Sequence, residues 1–166
     1  MRELLRLIAV VAVLVSFVIA PGQAIAGEQK AVLVTGASTG IGRNMAETLA
    51  REGHFVYAGA RKDKDLAELS AIENVMGVRL DVTRQEDIDA AVALIKEEGR
   101  GLWGLVNNAG VAVFGPLTQT PDDDFHFVFN VNVAGVIRVT RAFAPMIIEE
   151  QGRITTTGSI AGILSN

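Results

Sequence analysis

Short apolar runs alternate with stretches of helical periodicity along the chain from about residue 31 onward. The runs of strand type cover residues 31–35, 55–59, 78–80, 102–106 and 153–157. Helical patterns lie between them, at residues 41–51, 65–70, 84–98 and 121–150. Strands that alternate with helices in this way form parallel sheets covered by helices on both faces. The pattern therefore predicts an α/β, doubly wound, parallel-sheet domain.

Several polar residues and prolines mark where these helices begin and bend. Thr83 and Glu86 have the spacing of a capping box, and the helix after them places its apolar residues on one face. Thr120 is predicted as an N-cap with Pro121 at the first helical position and acids in the first turn. Pro145 is predicted to bend the long apolar helix that follows.

The first 26 residues do not fit the alternating pattern. Arginines precede an apolar run at residues 7–20, and Pro21 and Gly22 then interrupt any helix. Residues 24–26 give an A-x-A-like cleavage signal before Gly27. This is the order of a secretory signal peptide, and an uncleaved anchor that contacts the membrane through residues 7–20 is the alternative. We expect a signal or anchor at residues 1–26, a domain at 27–166, and an exported or membrane-anchored rather than cytoplasmic protein.

Composition excludes several classes of function. The 166 residues suffice for one domain with a real core, and a net charge of −4 gives no basic patch that would attract nucleic acid. The chain has no cysteine, so disulfides and thiolate metal sites are excluded. His54 and His126 lie far apart without the carboxylate spacing of a metal site, and no bound metal is expected.

The clearest chemical signal is the glycine-rich stretch at residues 35–42, which reads TGASTGIG between the first strand and the first helix. Gly36 permits a tight turn, Gly40 lets backbone approach phosphate oxygens, and Gly42 lets the helix pack on the sheet. The N-terminus of the helix offers free N–H groups to an anion. Arg43 stands where a P-loop requires lysine, so a P-loop is excluded. The stretch alone leaves open a site for a dinucleotide pyrophosphate and an ordinary strand–helix corner.

Three further motifs follow the glycine-rich stretch in a fixed order: NNAG at 107–110, NVNVAG at 130–135 and TGSIAG at 157–162. Together with TGxxxGIG they resemble the short-chain dehydrogenase/reductase family over residues 30–166. The sequence of residues 101–110 is most similar to that of the retinol and hydroxysteroid dehydrogenase branch. The resemblance implies a Rossmann-type domain and an oxidoreductase that interconverts an alcohol and a carbonyl on an apolar small molecule. Intact members of the family are usually homo-oligomers.

The resemblance also implies roles for individual residues. Asp81 would bind the adenine ring, and Asn107 would tie neighbouring strands together. Asn132 would sit in a distorted helical turn that anchors a proton-relay water, and Ser159 would bond the substrate oxygen. The predicted catalytic residues are thus Asn132 and Ser159. The predicted cofactor-binding residues are Thr35, Gly36, Ser38, Gly40, Ile41, Gly42, Arg61, Lys62, Asp81, Val82, Asn108, Ala109 and Gly110.

The end of the second strand decides between the two nicotinamide cofactors. Folds that prefer NAD place an acid there, about 20 residues past the glycines, whereas a 2′-phosphate needs a cation. Residues 59–62 read GARK, with no acid at this place. Arg61 can offer a planar fork to the 2′-phosphate. The sequence therefore favours NADP over NAD.

The family's Tyr-x-x-x-Lys pair does not occur in these 166 residues. The single tyrosine, Tyr57, lies in the second strand and has no lysine four residues later, and the sequence given stops seven residues after Ser159. We therefore expect a domain truncated after its fifth strand, with that strand as an open sheet edge, and a 166-residue chain that is inactive by itself. A non-catalytic nucleotide-binding or interaction protein derived from the same fold is the alternative.

Overall fold

Five parallel strands form the centre of the domain in the computed structural model, which describes residues 29–159. The predicted signal or anchor lies outside the described residues. Neighbouring strands follow the order β3-β2-β1-β4-β5 and are parallel in every pair. Their bounds are β1 (Ala31–Val34), β2 (Phe55–Ala60), β3 (Val75–Arg79), β4 (Gly104–Asn107) and β5 (Arg153–Thr156). The predicted doubly wound α/β architecture is confirmed.

Helices connect the strands and cover the sheet. They are α1 (Gly40–Arg51), α2 (Asp63–Ser70), α3 (Gln85–Glu98), α4 (Asp122–Phe129) and α5 (Val136–Glu149). A 3₁₀ turn (Leu117–Gln119) precedes α4, and a π-helical segment (Asn130–Gly135) joins α4 to α5. All the predicted helices are present, with bounds that differ by a few residues.

The core consists of two apolar layers, one on each face of the sheet. Alternate residues of β1 divide between them: Leu33 packs in the layer under α3 and α5, while Val34 packs in the layer under α1 and α2. In α3 the predicted apolar face is buried at Ile88, Ala91 and Ile95. Burial on both faces explains why the strands read as continuous apolar runs.

The third strand begins three residues earlier than predicted, because Gly77 interrupts its apolar pattern. A Cβ at Gly77 would lie 2.5 Å from the backbone oxygen of Leu66, since α2 passes directly over this point. The glycine that allows the close packing of helix and strand also breaks the apolar run, so the first residues of the strand were not predicted.

Two predicted helix caps are wrong. The hydroxyl of Thr83 donates to the carboxylate of Asp81 at 2.6 Å, and α3 begins two residues later without a side-chain cap. The hydroxyl of Thr120 donates to the backbone oxygen of Pro116, which leaves Pro121 as the N-cap residue of α4 instead of its first helical residue. In both places the threonine is engaged by a nearby acceptor outside the helix.

The helical stretch Asp122–Glu149, which includes α4, the π-helical segment and α5, is long and apolar enough to cross a membrane by length and composition. Core helices pass the same test. In α5 the buried side chains include Val139, Phe143 and Ile147, which pack in the layer under α3 and α5. Pro145 lies within α5, which continues past it to Glu149.

The chain reverses direction across the sheet at β1. It runs from β1 to β2 and β3 on one side, and then crosses to β4 and β5 on the other. A crevice forms at such a switch point, at the carboxyl ends of the strands, and ligands bind there in open α/β sheets. Among the described strands β5 is one edge of the sheet, as predicted, and β3 is the other; all four residues of β5 are exposed.

Candidate nucleotide cleft

A cleft of about 300 Å³ opens at the switch point, where β1, β2 and β4 end. Most of the predicted cofactor-binding residues line it: Gly36, Ser38, Ile41, Gly42, Arg61, Asp81, Val82, Asn108, Ala109 and Gly110. Thr35, Gly40 and Lys62 do not. Thr35 is buried beneath the cleft, Gly40 opens α1, and Lys62 is the N-cap residue of α2.

Six cleft residues were not predicted: Thr39, Gly59, Ala60, Leu80, Val111 and Val131. Most of them belong to strand ends or to the loops that follow strands. The predicted strands, together with the rule that ligands bind outside the carboxyl ends of parallel strands, would have found Gly59, Ala60 and Leu80. Val131 lies in the π-helical segment, and no local sequence pattern predicts that it lines the cleft.

Two of the three glycines in the glycine-rich turn have no room for a side chain. Gly36 has a φ of +66°, and a Cβ there would lie 2.8 Å from the Cα of Ala109. A Cβ at Gly42 would lie 2.3 Å from the backbone oxygen of Gly36. At Gly40, where φ is +57°, a Cβ would meet no atom within 4 Å. The turn therefore presents bare backbone to the cleft, which fits a pyrophosphate that must approach closely.

The N-terminus of α1 forms one wall of this cleft through Ile41 and Gly42. The N–H groups of the first helical turn have no acceptor within the helix, and the Thr39 N-cap makes no side-chain bond to them. Free N–H donors and the positive end of the helix dipole both favour an anion. The residues present thus fit the diphosphate of a dinucleotide.

Thr35 fixes the opposite wall from below. Its hydroxyl oxygen accepts the backbone N–H groups of Asn108 and Ala109, each at 2.9 Å, and donates to the backbone oxygen of Val106 at 3.3 Å. A hydroxyl has one donor and two acceptor positions, so this side chain is fully used. Thr35 thereby fastens the loop after β4 to the end of β1.

The predicted role of Asn107, which is to tie neighbouring strands together, is performed by Asn108. The amide of Asn107 donates to the hydroxyl of Thr140 on α5 at 3.0 Å. The amide of Asn108 donates to the backbone oxygens of Thr35 and Gly36, at 3.0 and 3.3 Å. Asn108 therefore ties the ends of β1 and β4 together, and the prediction that Asn107 does so is wrong.

Asp81 follows β3 and presents its carboxylate to the cleft. The backbone N–H and the hydroxyl of Thr83 both donate to it, at 2.9 and 2.6 Å. Burial acts to raise the pKa of Asp81, but the two bonds from Thr83 and the charges of Arg61 and Arg84 outweigh it and lower the pKa below its ordinary value. The lowered pKa favours the ionised carboxylate, and the predicted role of Asp81 at the adenine ring remains a prediction.

We expect a Thr83→Ala substitution to raise the pKa of Asp81, because the alanine keeps the N–H donor but removes the hydroxyl donor. A depressed folded-state pKa contributes stability above the unfolded-state pKa, and that stability is lost as pH falls through the folded-state pKa. In the variant the folded-state pKa is higher, so this loss should be smaller and should be complete at a higher pH. Carboxyl chemical shifts followed by NMR during acid titration measure it, with Thr118→Ala as the control. An unchanged midpoint would contradict the assigned cause.

Asn132 lies in the π-helical segment, so the predicted distorted turn is confirmed. Its side-chain oxygen accepts the backbone N–H of Val111 at 2.9 Å, and its amide nitrogen donates to the backbone oxygen of Val111 at 2.8 Å. This pair of bonds holds the loop that continues the cleft wall beyond Gly110. The relay water remains a prediction.

Ser159 is exposed, two residues beyond Thr157, and it does not line the cleft. The end of β5 is nevertheless attached to the cleft wall. The backbone N–H of Thr157 donates to the oxygen of Asn107 at 2.9 Å, and its hydroxyl donates to the side-chain oxygen of Asn108 at 3.4 Å. The role of Ser159 at the substrate remains a prediction.

Comparison with known proteins gives a consistent result. A family model described as short chain dehydrogenase matches residues 30–166. The chain is 38% identical over 147 residues to mitochondrial D-beta-hydroxybutyrate dehydrogenase from Bos taurus, covering 82% of this chain and 43% of that protein. It is 38% identical over 143 residues to retinol dehydrogenase 7 from Rattus norvegicus, covering 83% and 45%. The chain thus spans less than half the length of these relatives.

A similar solved structure is that of a short-chain dehydrogenase from Streptomyces avermitilis. It superposes with a TM-score of 0.76 at 35% identity, covering 82% of this chain and 52% of that one. The fold is therefore shared with a family of nicotinamide-dependent oxidoreductases.

Proposed function

The chain belongs to the short-chain dehydrogenase family, and from this we propose that it carries the cofactor-binding part of an NADP(H)-dependent oxidoreductase that interconverts an alcohol and a carbonyl. The observation that carries the proposal is the cleft at the switch point. Bare glycine backbone forms one end of it, and Arg61 stands at the end of β2. Asp81 is the carboxylate among the described lining residues, and it lies after β3 instead of β2.

The parts of the cofactor follow from the charges along the cleft. The diphosphate lies against the turn at Gly36 and the N-terminus of α1, where N–H donors are free. The adenine meets Asp81 and Val82, and the 2′-phosphate meets the guanidinium of Arg61. With NAD in the same cleft, the ribose 2′-OH would lack the acid that normally accepts from it at the end of β2.

The bound nicotinamide supplies or accepts the hydride, while the chain's own residues shape its surroundings. Asn108, fastened to β1, holds the cleft wall, and Asn132 holds the loop beyond it through Val111. In this proposal Ser159 bonds the oxygen of the substrate, and the end of β5 brings it toward the wall through Thr157.

Tyr57 does not supply the proton that the reaction requires. It is fully buried in β2, and its hydroxyl has no hydrogen-bond partner among the described residues. Burial raises the pKa of Tyr57 and the charge of Glu98 raises it further, against a smaller opposing effect of Arg100. A catalytic phenol needs the opposite shift, toward neutral pH. We propose that the proton donor lies outside residues 29–159.

The apolar nature of the substrate is supported by the loop beyond the cleft wall. Val111 lines the cleft, and three residues later Phe114 is 93% exposed, with Val113 partly exposed beside it. Large apolar side chains exposed next to a polar cleft favour an apolar ligand. The relatives named for hydroxybutyrate and for retinol are both named for alcohols, one polar and one apolar.

The test is an Arg61→Asp substitution in the full-length protein, with NADPH and NADH binding measured by fluorescence titration. NADPH binding should weaken by about 1.5–3 kcal/mol, as for a lost hydrogen bond to a charged group, while NADH binding should hold or improve. Arg51→Asp is the matched control, because Arg51 is exposed at the far end of α1.

Unchanged NADPH affinity in the Arg61→Asp variant would remove Arg61 from the site. If the unmodified protein bound neither nucleotide, the dinucleotide proposal itself would fail, and the non-catalytic interaction protein would take its place.

A further inference from the structure

Arg79 lies at the end of β3, directly beside Ala60 of β2 in the strand register. Its guanidinium joins two groups of the loop that leaves β2. Nη1 donates to the backbone oxygen of Arg61 at 2.6 Å, and Nη2 donates to the carboxylate of Asp63. The loop is short, because Asp63 is already the first residue of α2. One side chain therefore bridges the loop from its start to its end.

Asp63 is the acid that comes closest along the sequence to the cleft end of β2. It stands two residues after Arg61, in the region where an acid would accept the ribose 2′-OH of NAD and repel a 2′-phosphate. Yet Asp63 does not line the cleft, and its side chain is 92% exposed with Arg79 as its ion-pair partner. The acid is thus present in the loop but held away from the cleft.

The second contact of Arg79 concerns Arg61 itself. The bond to its carbonyl oxygen fixes the peptide from which the Arg61 side chain departs, and that side chain lines the cleft. Both contacts act in the same direction. One orients the cation that would bind a 2′-phosphate, and the other neutralises and holds the carboxylate that would oppose it.

On the basis of the proposed function, we infer that Arg79 is a positioning residue for cofactor choice. It acts through Arg61 and Asp63 without touching the nucleotide. Loss of Arg79 releases Asp63 toward the ribose and frees Arg61, so discrimination in favour of the 2′-phosphate falls. An exposed ion pair contributes little to folding, so the substitution should leave the domain intact.

The experiment compares the full-length protein with its Arg79→Ala, Asp63→Asn and Arg79→Ala/Asp63→Asn variants. The measured quantity is the ratio of the NADH dissociation constant to the NADPH dissociation constant at low ionic strength. In the Arg79→Ala variant this ratio should fall about fivefold, the size expected for a partly screened charge near a surface. In the double variant it should recover by at least half, and in Asp63→Asn alone it should stay within about twofold.

The ratio itself and two control variants separate positioning from general damage. A purely structural role would raise both dissociation constants together and leave their ratio unchanged. Arg51→Ala removes an exposed arginine elsewhere and should change neither constant. Arg79→Lys keeps the charge but has one nitrogen for two acceptors, so its ratio should lie between those of the unmodified protein and Arg79→Ala, and it replaces the alanine variant if circular dichroism shows that the latter is unfolded.

An unchanged ratio in Arg79→Ala, or in Arg79→Lys where that variant is used, overturns the inference. A ratio that falls but does not recover in the double variant overturns it too, because the released carboxylate is then not the cause. The titration of the unmodified protein tests the proposed function separately. If that protein binds neither nucleotide, the proposed function on which the inference rests is wrong.

Discussion

Replacing Gly42 by alanine is expected to destabilise the domain by about 2–5 kcal/mol, through overpacking and lost hydrogen bonds. The new Cβ would lie 2.3 Å from the backbone oxygen of Gly36 and 2.4 Å from the amide nitrogen of Asn108. The space beside Gly36 is limited as well, because a Cβ there would lie 2.8 Å from the Cα of Ala109. If Asn108 moves instead, its bonds to Thr35 and Gly36 are lost.

Urea denaturation of the full chain measures this effect, and two other glycines calibrate it. Gly115→Ala meets open space without a left-handed φ and should be nearly neutral. Gly40→Ala also meets open space but has a φ of +57°, so it should cost about 1–2 kcal/mol from backbone strain. The steric account predicts the order Gly42, Gly40, Gly115. A Gly42→Ala variant as stable as Gly115→Ala would show that the turn relaxes at no cost.

Apolar periodicity predicted the elements and the fold class because the central strands β1, β2 and β4 are buried on both faces, and buried positions are apolar in the sequence. The errors arise where one residue serves a contact distant in space. Gly77 is a glycine because α2 packs directly against it, and its lack of an apolar side chain interrupts the pattern from which the start of β3 was predicted. Thr83 has the spacing of a helix cap, but its hydroxyl is used by Asp81.

The candidate site likewise contains residues that the local sequence predicts and residues that only the complete fold brings to the cleft. Glycines of a tight turn are visible in a sequence, because few other residues tolerate such a backbone. Leu80 and Val131 reach the cleft from elements that only the complete fold brings together, so no local spacing marks them. Arg79 reads as a solvated charge at a strand end, and its two bonds across the β2 loop appear only when β3 is placed beside β2.

The other large effect on stability is expected from substitution of Thr35, because this residue is 1% exposed and its hydroxyl makes three hydrogen bonds. A Thr35→Val substitution preserves the shape of the side chain and removes the oxygen. The backbone N–H groups of Asn108 and Ala109 then lose their acceptor. A buried donor without a partner costs about 1–3 kcal/mol, so the pair should lower the free energy of unfolding by about 2–6 kcal/mol.

The matched variant is Thr35→Ser, which keeps the hydroxyl and loses one buried methyl group, at a cost of about 1 kcal/mol. Urea denaturation compares the two variants, and amide hydrogen exchange reports where the damage lies. Exchange at Asn108 and Ala109 should accelerate in the valine variant and remain slow in the serine variant. NADPH binding should weaken in the same order, because these two residues form the cleft wall. Equal stability of the two variants would mean that the loop after β4 is held by the amide of Asn108, without help from Thr35.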